Sequence, residues 1–177
     1  MKLKPTNTSQ ILSVMQIITW IAYIGLCIKT GAILISFGVS FVNPEAAKNL
    51  YKGLDLDSLR QLNFGYYVCL VSFMVAILMM KAHVFYLVTR ILSKITLANP
   101  FKIEVANILE KVSYVLFGTW IVGLLSNAYT SWLLKRTGEI FDSGATDNFL
   151  FMAGLVFIIS QVFKRGVEIQ SENELTV

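Results

Sequence analysis

An all-α integral membrane protein with four transmembrane helices is the fold class this chain predicts, on three observations. Hydrophobic residues make up 55% of the 177 residues and charged residues only 15%, where a soluble domain carries about 25% charged. The mean hydropathy is +0.65. Four apolar stretches approach or exceed the ~20 residues that a helix needs to cross a hydrocarbon core about 30 Å thick. No short alternating segments point to a barrel, so helices are the predicted spanning structure.

The first stretch, Ile11 to Val42, is interrupted only by Lys29. It is long for a span and is expected to tilt or protrude. Its length and the lack of a small-x-small cleavage site read as an uncleaved signal anchor. The second runs from about Leu62 to Leu92 and carries Lys81 and His83 in its later half. The third, Val112 to Leu134, has no charge. The fourth, 148–163, is short for a span and ends at Lys164 and Arg165, whose long side chains snorkel to the interface. Residues 164–177 then form a cytoplasmic tail, with Gly166 as the expected break between span and tail.

The connections support this division. Asn43 and Pro44 supply an N-cap and a first helical residue, and Glu45 complements the helix dipole. A short interfacial helix is predicted over about 44–52. Asn99 and Pro100 repeat the device before a second interfacial helix, about 100–111. There Phe101, Val105, Ile108, Leu109 and Val112 form one apolar stripe. The segment "KRTGEIFDSGATDN" reads as a polar turn region between the third and fourth spans.

Lys and Arg counts near the spans set the orientation. Lys2, Lys4, Arg90, Lys94, Lys102, Lys111, Lys164 and Arg165 fall on one side, and Lys48, Lys52, Arg60, Lys135 and Arg136 on the other. The excess predicts both termini in the cytoplasm. The formal net charge of +4 is spread over these flanks, and no nucleic-acid motif accompanies it.

Small and polar residues at helical spacing mark the faces expected to meet neighbouring helices. On the first span these are Ala22, Gly25, Lys29, Ala32, Ser36, Ser40 and Asn43. On the second they are Gly65, Cys69, Ser72, Ala76 and His83, with Lys81 on the opposite side and snorkelling toward Arg90. Thr119, Gly123, Ser126 and Thr130 mark the third, with Asn127 at the edge. Ala153, Gly154, Ser160 and Gln161 mark the fourth. An ionisable group within a span is a functional-site candidate by default. Lys29 and His83 are therefore the candidate ligand or sensing residues.

Catalytic chemistry has little to stand on here. The chain has one His, and Cys27 and Cys69 lack metal-ligand spacing. No GxSxG, HExxH or phosphate-cradling glycine loop occurs. No carboxylate lies inside a span, and no discontinuous-helix pattern is visible. The expectation is a non-enzyme without cofactor or metal.

The ending "FKRGVEIQSENELTV", with the earlier "NPF", resembles the bacterial membrane family called domain of unknown function 2975. The matching residues are Phe163, Lys164, Arg165, Gly166, Glu172, Asn173, Glu174, Leu175, Thr176 and Val177. The resemblance covers essentially the whole chain, and the "NPE" after the first span is similar to a narrower subgroup from the Bacteroidetes. It implies a small four-span protein of the bacterial inner membrane, with no established activity. It also implies a partner, because genes of the family often lie beside one for a small helix-turn-helix regulator. The expected function is a regulatory, sensor-like interaction protein, compatible with a homo-oligomer and without direct contact to nucleic acid. Its docking residues are Glu172, Glu174, Leu175, Thr176 and Val177. The alternative is a small transporter or a lipid- or ligand-binding bundle.

Overall fold

The structure is a computed structural model that describes residues 7–95, 101–145 and 148–174. The element order is α1 (Asn7–Ser40), a 3-10 helix (Pro44–Asn49), α2 (Asp57–Leu62), α3 (Phe64–Lys94), α4 (Ile103–Thr137) and α5 (Phe149–Glu174). No strand occurs among the described residues. Four helices are long and apolar enough to cross a membrane, within Gln10–Ser40, Phe64–Lys94, Ile103–Thr137 and Phe149–Glu172. The predicted all-α, four-span class holds.

The chain forms two compact units. Unit 1 comprises Met1–Tyr23, His83–Phe117 and Asn148–Val177, and unit 2 comprises Ile24–Ala82 and Gly118–Asp147.

In unit 1 the core is a cluster of Leu87, Ile91, Val105, Ile108, Val112, Leu116 and Ala153. Val105, Ile108 and Val112 belong to the predicted interfacial stripe. They are buried between helices, because residues 103–111 are the first turns of α4 and not a separate helix. Asn99 and Pro100 lie outside the described residues. On α5, Ala153 and Ser160 face inward as predicted, whereas Gly154 and Gln161 are exposed. Thr89 on α3 donates a hydrogen bond to Thr19 on α1 at 3.3 Å.

In unit 2 the core joins Ile33, Tyr67, Leu70, Val71, Met74, Leu78 and Leu133 of the long helices to Ala47, Leu50, Leu56 and Leu59 of the connection. The Asn43 cap forms as predicted: its side chain accepts from the Glu45 N–H at 3.1 Å, with Pro44 following. The helix it starts is a short 3-10 turn, ending at Asn49. It turns Ala47, fully buried, into the core and does not lie free on a surface. Arg60 then closes the end of α1. Its Nη2 donates to the Ser40 carbonyl at 2.7 Å, and the Tyr67 hydroxyl donates to Ser40 Oγ at 3.0 Å.

This connection explains why two predicted faces are misplaced. In unit 2, α1 buries Thr30, Ile33 and Ser40, with Leu26 and Phe37 beside them, while Gly25 is exposed. That stripe shares Ser40 with the small-residue stripe, and its centre is rotated from it by about 80°, at 100° per residue. On α3 the buried residues are Tyr67, Leu70, Val71, Met74, Ile77 and Leu78, while Gly65 and Ser72 are exposed. The rotation there is close to a half turn. Small residues mark a seam where two helix backbones approach. These faces meet leucines from a folded connection instead, and large side chains fill that space. A Cβ built on Gly25, Gly31 or Gly38 meets nothing within 4 Å. The rule succeeds on α4, where Thr119, Gly123 and Ser126 are all buried.

Candidate functional site

Two local arrangements hold the candidate residues, one in each unit.

In unit 1, α5 continues through Gly166 to Glu174 as one helix. The expected break at Gly166 is absent, and the glycine serves a close approach. A Cβ there would lie 2.6 Å from Phe101 Cδ1, closer than packed carbons come. The Phe101 ring also lies 5.4 Å from the Phe163 ring, tilted by 56°. Thus the phenylalanine of "NPF" and the Phe and Gly of "FKRG", far apart in sequence, form one interlock. Beside it Lys164 Nζ donates to Glu110 Oε2 at 2.9 Å, with both side chains mostly covered. Lys164 is therefore a cross-helix partner. Arg165 pairs within its own helix, with Glu168 at 2.7 Å. Lys94 and Glu104 form a further ion pair between α3 and α4.

These contacts fix the base of the α5 extension. Beyond them Glu168, Ile169, Ser171 and Glu172 are exposed. Glu172 thus sits on a helical stalk, and Glu174 is the last residue of α5. Leu175, Thr176 and Val177 lie outside the described residues. His83, also in unit 1, is exposed, and its ring lies 6.1 Å from Tyr86 at a 34° tilt.

In unit 2, Lys29 is half-buried with Nζ 5.9 Å from the centroid of the Tyr51 ring. The contact is a cation–π arrangement between α1 and the connection. Lys52 lies over the same ring at 5.5 Å. Lys29 and His83, the two predicted sensing residues, thus fall in different units.

Sequence reasoning missed the segment between α4 and α5. Residues 138–145 form no helix, and they run back along α4 instead of turning over a surface. Ser58 donates to Glu139 Oε2 at 2.7 Å at the start of the segment. Phe141 packs on the unit 2 core. The Gly144 N–H donates to Asp142 Oδ1 at 2.7 Å, and Gly144 holds φ +70, which glycine adopts without strain. Lys81 Nζ donates to the Gly144 carbonyl at 2.8 Å. It therefore supports this backbone and does not reach toward Arg90. A Cβ on Gly123 would touch Ala145 Cβ at 3.7 Å. The available signals were Asp142, Gly144 and the shortness of the fourth apolar stretch.

Tyr66, Tyr129 and Trp132 cluster near the far end of α4, with the Arg136 guanidinium 5.2 Å from the Trp132 ring centroid. Such a belt marks a membrane–water boundary. Among the described residues no three His, Cys, Asp or Glu side chains group as a metal site would require.

Helices of this length and polarity, with an aromatic belt at one end, define a multi-pass membrane protein. The chain belongs to the family described as Protein of unknown function (DUF2975), whose match covers residues 55–177. The match begins after α1 and the 3-10 helix, so it is narrower than the resemblance read from the sequence. No curated protein and no solved structure matches the chain.

Proposed function

We propose that this protein is a non-enzymatic regulatory or interaction protein of the bacterial inner membrane, docking a soluble partner on the α5 extension. The observation that carries this reading is the interlock of Phe101, Phe163 and Gly166 beside the Glu110–Lys164 pair. It fixes a helix at its base and leaves the next turns exposed, with Glu168, Ile169 and Glu172 as an acidic and apolar surface. A preordered stalk binds without a large ordering cost. The family resemblance implies the partner class, a small helix-turn-helix regulator, which would meet this surface on the cytoplasmic side.

Crosslinking and mass spectrometry from native membranes test the reading, comparing the full chain with a deletion of Ser171–Val177. The expected result is a helix-turn-helix protein crosslinked to the full chain and lost on deletion, with membrane insertion unchanged. Equal capture by both forms would remove the docking role.

A second reading, a small transporter or ligand-binding bundle, is favoured by the non-helical 138–145 segment beside Lys81. Irregular backbone at membrane depth is characteristic of solute-binding regions in transporters.

A further inference from the structure

We propose that a groove between α4 and α5 holds one acyl chain of an anionic phospholipid, with the lipid phosphate beside Tyr114 and Lys111. The site lies wholly within unit 1. It depends neither on docking at α5 nor on the 138–145 segment.

The groove is a cavity with bulky walls and a small floor. Tyr114 and Phe117 of α4 and Leu150 and Phe157 of α5 wall a space of about 260 Å³. Ser113, Ala153 and Gly154 form its floor. Ser113 and Ala153 are buried, and the Ser113 hydroxyl donates to the Glu110 carbonyl at 2.7 Å, so the floor asks for no polar partner. A Cβ built on Gly154 meets nothing within 4 Å. Small residues usually mark a seam where two helices close on each other. Here they face open space between four larger side chains.

The surroundings select the chain. Every lining residue lies in a helix long and apolar enough to cross a membrane. A cavity lined by carbon stays dry and takes apolar ligands, and an empty one forfeits the dispersion contacts of its lining. At that level the apolar ligand at hand is a lipid chain. The volume falls just below the range of about 300–1,000 Å³ for drug-sized ligands, which suits a length of one chain and not a headgroup.

One end of the groove is polar, and it selects the headgroup. The Tyr114 ring lies 6.4 Å from the Phe157 ring, and its hydroxyl donates to Glu110 Oε1 at 3.3 Å. Glu110 also accepts from Lys164, and Arg165 is paired with Glu168. Lys111 differs from both cations. It stands three residues before Tyr114 on the same side of α4, is exposed, and makes no ion pair among the described residues. Glu104, two turns back on that side, is paired with Lys94. Glu172 and Glu174 stand well beyond Lys164, about 12 and 15 Å further along α5. The Lys111 ammonium is thus left for an anion from outside the chain. Its long side chain reaches headgroup level, where that anion is a lipid phosphate. A zwitterionic lipid brings its own cation to the phosphate and an anionic lipid does not, so Lys111 favours the anionic one.

Photolabelling tests the site. The full chain is placed in phosphatidylcholine nanodiscs with a trace of phosphatidylglycerol carrying a diazirine in one acyl chain, and labelled residues are mapped by mass spectrometry. Tyr114, Phe117 and Phe157 should be labelled at least about threefold more than Ile17, Ile21 and Ile28, which are exposed positions on α1. The same diazirine chain on phosphatidylcholine should label the groove about fivefold less, and Lys111→Gln should close most of that gap. Gly154→Leu puts a side chain into the open space and should bring groove labelling down to the α1 level with the unfolding midpoint unchanged. Labelling no higher in the groove than on α1, or unaffected by Gly154→Leu, would overturn the site. Equal labelling by the two headgroups would overturn the anionic ligand. A disulfide between two copies carrying Phe157→Cys, with Cys27→Ser and Cys69→Ser, would assign the groove to a second copy and overturn the lipid. Should Gly154→Leu fail to insert, competition on the parent chain decides. Unlabelled phosphatidylglycerol should displace the probe from the groove where the same amount of added phosphatidylcholine does not, and equal displacement by both would sink the proposal.

Discussion

Unit 1 and unit 2 solve the same problem, satisfying a backbone within apolar surroundings, in different ways. Unit 1 does so with helices alone. Its described segments are helical almost throughout, its core is leucine, isoleucine and valine with Ala153, and its polar contacts include the Lys94–Glu104 and Lys164–Glu110 ion pairs between helices. Unit 2 adds pieces that are not long helices: the 3-10 turn, α2 and the 138–145 segment. Each piece needs side chains to supply what a helix supplies for itself. Arg60 takes the Ser40 carbonyl, Lys81 takes the Gly144 carbonyl, and Asn43 takes the Glu45 N–H. Charged groups inside a membrane protein thus serve as backbone partners as well as candidate ligand sites.

Substitutions sharpen this contrast, and the largest effect belongs to the folded connection of unit 2. Leu59→Ala removes a side chain only 1% exposed and should cost about 2–5 kcal/mol, read as a fall in the unfolding midpoint in detergent. Gly166→Ala comes next. Its Cβ falls on the Phe101 ring, and the overpacking should cost about 1–3 kcal/mol in unit 1. Adding Phe101→Leu should recover part of that loss, and a Gly166→Ala variant as stable as the parent would contradict the interlock. Lys81→Met leaves the Gly144 carbonyl without its ammonium and should cost about 1–3 kcal/mol. The readout is faster hydrogen exchange in 138–145 with little change in 103–117. The smallest effect is expected of Glu110 and Lys164. A double-mutant cycle with Glu110→Gln and Lys164→Met should give a coupling of roughly 0.5–1 kcal/mol, because water still reaches both side chains, 30% and 23% exposed.

The helices were legible in the sequence because length and apolarity decide them. The four predicted spans correspond to α1, α3, α4 and α5, and the inner face of α4 was found from Thr119, Gly123 and Ser126. The faces of α1 and α3 in unit 2 were not legible. Their partners are Leu50, Leu56 and Leu59 from a connection that reads as polar and interfacial. Nor was the extension of α5, because Gly166 carries the same letter whether it breaks a helix or makes room for a ring. The packing of 138–145 along α4 was hidden for a related reason: Asp, Ser and Gly mark a surface turn and a segment packed on a helix alike. Of the candidate residues, Lys29 was recognised as unusual, but its neighbour Tyr51 lies in the connection. Lys81, read as a snorkelling flank charge, holds the backbone of that hidden segment.

The stalk of α5 also has a phase. Between the interlock at Gly166 and Glu172 the helix is continuous, so every residue added there turns the exposed end by about 100°. One inserted alanine after Glu168 would swing Glu172 far around the axis while leaving charge and the interlock untouched. Four would return it to within about 40° of its first direction, one turn further out. A partner that reads this surface would be lost with the first insertion and largely regained with the fourth, making the helix an angular ruler as well as a support.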